Sequence, residues 1–86
     1  MIQYGIYDQI TNELLVKYDP TNPGKWMWVC AMPESPLSIF NEAFLFNSKK
    51  DAGVAKKVVS AQFKGKGYKQ IFLVVPVTRK IVYMIR

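Results

Sequence analysis

No histidine and a single cysteine, Cys30, occur among the 86 residues of this chain. Without histidine the chain lacks the side chain that most readily moves protons near neutral pH and the commonest metal ligand. One thiol can neither close an internal disulfide nor build a zinc site. Cys30 lies in an apolar stretch with no imidazole to activate it, so it reads as inert. The six acids are scattered, several beside turns (Asp8, Asp19, Glu34), and no pair is spaced for acid–base work. A non-enzymatic protein with no cofactor and no metal is therefore expected. Long apolar runs are missing as well. The longest, Ile71 to Val77, is far short of a membrane span. Met1 to Tyr7 lacks a basic segment followed by an apolar one, so no signal peptide is expected. These absences point to the host-cell cytoplasm and to no membrane partner.

Acids are scarcest where bases are most abundant. Residues 1–47 carry five acids against two bases, a net of −3, whereas residues 48–86 carry ten bases against Asp51 alone, a net of +9. The second half should attract polyanions. Half of the residues are apolar and aromatics are plentiful, so the chain should fold as one small domain, residues 1–86, around one modest core.

The periodicity predicts an α+β fold: a single antiparallel sheet of about five strands with one amphipathic helix on one face, in the order β-β-β-(β)-α-β-β. Ile2, Tyr4 and Ile6 alternate with Gln3 and Gly5, which is strand spacing. A turn over 8–13 and a return strand over 13–18 make a hairpin. The breaker cluster Asp19-Pro20-Thr21-Asn22-Pro23-Gly24 is a loop, and Trp26 to Met32 is a third strand. Residues 37–46 are ambiguous, a helical turn and then a strand over Ala43 to Phe46. A helix starts after Ser48, a good N-cap with Asp51 three residues on, and runs to Phe63 or Lys64, stopping in Gly65-Lys66-Gly67. Lys69 to Val75 reads as a central strand buried on both faces, with Pro76 breaking its pairing. A turn over 77–80 leads to a last strand over Ile81 to Ile85.

On a helical wheel Lys49, Lys50, Lys56, Lys57 and Lys64 fall within an arc of about 120°, with Gly53 and Ser60 inside it. Ala52, Ala55, Val58, Val59 and Phe63 take the other side. Lysines reach phosphate oxygens as point charges, and the small residues leave room for a sugar-phosphate backbone. Lys66, Tyr68 and Lys69 extend the patch, with a ring at Tyr68 on which a base could stack. Arg79 and Lys80 add charge at the last turn. A solvated lysine-rich face is the competing reading, since lysine is a good helix former, but such faces usually intersperse glutamate and this one has none. The glycine pair is a poor nucleotide loop. Phosphate loops precede a helix, and this pair follows one, where a C-cap and turn account for it.

The third strand looks apolar on both sides, as does the strand near Phe72, and one helix covers only one face of a sheet. Self-association as a homodimer, a partner protein, stacked bases or residues 33–46 folding back could each cover the other face. If that face is open, Trp26 and Trp28 would form a partner-binding hot spot.

The stretches Tyr4-Gly5-Ile6-Tyr7-Asp8, Lys25-Trp26-Met27-Trp28-Val29 and Phe46-Asn47-Ser48-Lys49-Lys50-Asp51-Ala52 resemble the layout of small phage-encoded accessory proteins. The last is similar to the Phe-x-(Ser/Thr)-x-x-(Asp/Glu)-Ala start of a helix common in short phage domains. The resemblance implies a counter-defence or host-takeover inhibitor, of the kind represented by the ToxN-inhibiting proteins of T-even phages, and assigns no site residue. Two readings follow. One is a basic nucleic-acid-binding protein, with RNA preferred over DNA because no recognition helix with Arg, Asn or Gln for base edges is present. The other is an inhibitor or adaptor that docks on a host protein through its apolar sheet face.

Overall fold

A computed structural model describes residues 2–32, 34–64 and 70–77. The protein is α+β, with one antiparallel sheet and one main helix. Strands β1 (Gln3–Asp8), β2 (Glu13–Lys17) and β3 (Met27–Cys30) precede a single helical turn, α1 (Leu37–Phe40). The long helix α2 (Lys49–Phe63) and strand β4 (Phe72–Val77) follow. The spatial strand order is β3-β2-β1-β4.

The β1–β2 hairpin forms where turn chemistry demands it. Asp8 Oδ1 accepts the Ile10 N–H at 2.9 Å, an Asx turn, and Asn12 takes the left-handed conformation (φ 57°) that asparagine tolerates. The Asp8 carboxylate is buried, and its second oxygen accepts the Gln70 amide at 3.0 Å. Tyr7, also buried, places its hydroxyl 2.9 Å from both the Ala31 carbonyl and the Asn12 side-chain oxygen. One phenolic proton cannot serve two acceptors. With the Asn12 amide turned over, its NH2 donates to Tyr7 and Tyr7 donates to Ala31. Burial pushes the Tyr7 phenol above its ordinary value of 10.0, helped by the negative potential of Cys30, Asp8 and Glu34. A raised phenol contributes stability that is fully present below the ordinary value and is lost as pH climbs through the folded one. Tyr7→Phe, which loses the bond to the buried Ala31 carbonyl, should cost about 1–2 kcal/mol in urea unfolding near neutral pH. It should also remove one of the tyrosinate absorbance steps that lie above the ordinary value. Unchanged stability would mean that the hydroxyl has no bond worth keeping.

Both faces of the sheet are covered by this chain. Ile6, Leu15 and Phe72 face α2, which packs Ala55 and Val59 onto them. Tyr7, Leu14, Val75 and Val77 face the opposite way, onto Ala31, Ile39, Phe40, Ala43 and Leu45. Residues 31–45 thus supply the second cover, while Met27 on β3 stays half exposed. The register explains the division. Tyr7 pairs with Leu14 and Leu73, whereas Ile6 pairs with Val74 and Leu15 with Trp28, so neighbours in sequence enter different layers.

Three of the expected features change. The strand expected over Ala43 to Phe46 is a single bridge, Tyr4 to Phe46. Phe46 exchanges both backbone bonds with Tyr4 (2.7 and 2.9 Å), and Phe44 N–H donates to the Leu15 carbonyl at 2.9 Å. The segment is wedged between β2 and the first half of β1, too short for a ladder. The strand expected from Lys69 begins at Phe72 and borders only β1 among the described residues, so it is not central there. Pro76 does not break it. Tyr4 spends its N–H and C=O on Phe46, on the far side from β4, so the Tyr4–Pro76 pair is a non-hydrogen-bonded one and the missing N–H points outward. Four strands, not five, are present among the described residues, and the last strand expected over Ile81 to Ile85 lies outside them.

Candidate nucleic-acid interface

Helix α2 starts where its cap places it. The Ser48 hydroxyl accepts the Asp51 N–H at 3.0 Å, and Asp51 sits in the first turn, where the helix dipole favours an acid. Gln3 Nε2 donates to Asn47 Oδ1 at 2.9 Å and ties this cap to β1. The helix ends at Phe63, and Lys64, with φ −64° and ψ 129°, leaves in extended conformation.

Packing fixes the direction of the lysines. Ala52, Ala55 and Val59 are buried, so the stripe they define faces the sheet. Lys49, Lys50, Lys57 and Lys64 are exposed, and Lys56 is partly so at the edge of the stripe. On ideal helix geometry the lysine arc is centred about 125° from the buried stripe. Among the described residues no ion pair ties any of these five lysines to a carboxylate. Asp51, the lone acid on α2, projects about 160° from the centre of the lysine arc on the same geometry. The charges therefore share one solvent-facing surface about 22 Å long, from the 1.5 Å rise per residue.

Of the ten residues expected to bind nucleic acid, the structure brings these five together. Lys66, Tyr68, Lys69, Arg79 and Lys80 lie outside the described residues, as do Gly65 and Gly67. The two tryptophans expected to contact a partner are half-buried in the layer beneath α2. Trp26 stacks on Tyr18 with ring centroids 5.6 Å apart, and its indole N–H donates to the Asp19 carbonyl at 2.7 Å. Trp28 meets Phe72 at 5.6 Å and Phe63 at 6.5 Å. Trp28 is on β3 and Phe72 on β4, with two strands between them, about 14 Å at ordinary strand spacing. The rings of these two strands, the outermost among the described residues, meet across the two strands between them. Phe63 closes the same aromatic group at 5.6 Å from Phe72 and anchors the last turn of α2. Desolvation in the neighbouring group, Tyr18 with Trp26, Phe44 and Phe46, pushes the Tyr18 phenol up, and the Asp19 carboxylate adds to it.

No family model, curated protein or solved structure matches the chain. The site must stand on its own chemistry.

Sequence reasoning placed Gly53 in the lysine arc but missed its central position. Residues three and four apart are neighbours on a helix surface. Around Gly53 those four positions are Lys49, Lys50, Lys56 and Lys57. The signal was there to read, in a lysine doublet on each side of one glycine: Lys49-Lys50-Asp51-Ala52-Gly53-Val54-Ala55-Lys56-Lys57. A Cβ built on Gly53 meets nothing within 4 Å, so packing does not require glycine there. Glycine in a helix interior costs about 0.5–1 kcal/mol relative to alanine.

Proposed function

We propose that this protein binds RNA without catalysing a reaction, holding the phosphate backbone on the lysine face of α2. The supporting observation is five lysines on one solvent-facing helix surface with no carboxylate partner among the described residues. Unpaired ammonium groups keep their full potential for a polyanion, whereas a merely solvated face usually mixes both signs. RNA is favoured over DNA by what the face lacks. It has no Arg, Asn or Gln to read base edges in a major groove, as a recognition helix does. The resemblance to small phage accessory proteins fits a counter-defence role in a host cytoplasm, in which sequestering an RNA would disable an RNA-dependent host system.

Docking on a host protein through an open sheet face is the weaker reading, since α2 covers one face of the sheet and residues 31–45 cover the other.

Salt dependence tests the proposal. With all five lysines on phosphates, the plot of log affinity against log salt for a fluorescent oligouridylate should have a slope of roughly −3 to −4, at about 0.7 per contact. Binding that is flat with salt, or absent at low salt, would remove the phosphate contacts from the account.

A further inference from the structure

Resting on that reading, we infer that α2 carries two successive phosphate cradles that take a single nucleic-acid strand laid along the helix, the first centred on Gly53 and the second on Ser60. The lysines define both. Gly53 is bracketed by Lys49, Lys50, Lys56 and Lys57, and Ser60 by Lys56, Lys57 and Lys64. Lys56 and Lys57 serve both cradles. The two centres lie seven residues apart, about 10.5 Å along the axis.

Three observations converge on one strand rather than a duplex. The cradles fall in line along the helix, so a backbone passing from one to the other runs in the furrow between the row of Lys49 and Lys56 and the row of Lys50, Lys57 and Lys64. The floor of the furrow is open at Gly53, where no side chain comes within 4 Å of a built Cβ, so a phosphate can descend to the helix backbone between the four ammonium groups. Ser60 is exposed and offers a hydroxyl that donates to a phosphate oxygen in the second cradle. A duplex would present two backbones to a surface built for one. The deep, narrow major groove of A-form RNA also excludes a helix packed on a sheet.

Gly53 separates steric from electrostatic recognition, because replacing it leaves every charge in place. The experiment measures fluorescence anisotropy at fixed salt with a short oligouridylate and with an RNA duplex of equal length, on the full chain and three variants. Gly53→Leu should weaken single-strand binding at least tenfold while keeping helical circular dichroism. Gly53→Ala should bind several-fold more weakly yet melt about 3–6 °C higher, because alanine favours the helix. The wild type should prefer the single strand. Wild-type affinity in Gly53→Leu, alongside lost binding in the Lys56→Glu/Lys57→Glu double variant, would overturn the cradles and leave the lysine face standing. Intact binding in all three variants would overturn both. Equal or tighter binding of the duplex would overturn the single-strand assignment.

Discussion

Reversing Lys56 and Lys57 to glutamate together should weaken RNA binding by roughly 100-fold at about 0.15 M salt, and flatten the salt slope by about 1.4. The size follows from position. Each substitution removes a cation that borders both cradles and places a like charge beside the phosphates. The fold should survive, because Lys57 is exposed, Lys56 sits at the edge of the packed stripe, and neither is tied to a carboxylate among the described residues. Surface changes of this kind usually alter stability by no more than about 0.5 kcal/mol. The control is Lys17→Glu with Lys25→Glu, which changes net charge by the same amount on exposed residues of β2 and the loop before β3. That control should lose only a few-fold. A loss equal to that of the helix pair would mean that net charge, and not the face of α2, attracts the polymer.

Leu14→Ala and Leu15→Ala should each cost about 2–5 kcal/mol, enough to bring a domain of ordinary stability close to unfolding at physiological temperature. The two residues are adjacent and both are fully buried, yet they lie in different layers. Leu15 packs with Ile6, Ala55 and Val59 under α2, and Leu14 packs with Tyr7, Phe40 and Val75 under residues 31–45. A sheet covered on one face only would tolerate one of these truncations at under about 1 kcal/mol, because an exposed leucine has little burial to lose. Urea titration of both variants is thus a direct measure of the second cover. A mild Leu14→Ala beside a severe Leu15→Ala would show that residues 31–45 do not hold the face they occupy in the structure.

Local chemistry made much of the fold readable. The hairpin follows from alternation and an Asx turn at Asp8, which are decided within a few residues. The start of α2 follows from the Ser48 cap, and the face it buries follows from Ala52, Ala55 and Val59 recurring at helical spacing. The lysine arc is the complement of that stripe. Elements that depend on distant partners were harder to read. Ala43 to Phe46 is apolar at every position, and in the structure its side chains part to opposite layers, Ala43 and Leu45 to one and Phe46 to the other. Whether such a segment becomes a ladder depends on how much free edge it meets, and the gap between β1 and β2 admits only one bridge. Pro76 is similar. A proline excludes pairing on one side of a strand only, and Phe46 decides which side of Tyr4 faces it.

Residue order alone was enough for the α+β class, the helix with its cap, and the gathering of positive charge on one of its sides, because each depends on neighbours within a turn or two of backbone. Three-dimensional packing had to decide which layer receives each apolar residue, that the tryptophans are half-buried in the layer α2 shares, and that Gly53 stands over open space. Those outcomes turn on contacts between segments remote along the chain, where a tryptophan on a strand fits a core and a surface equally well until its neighbours arrive.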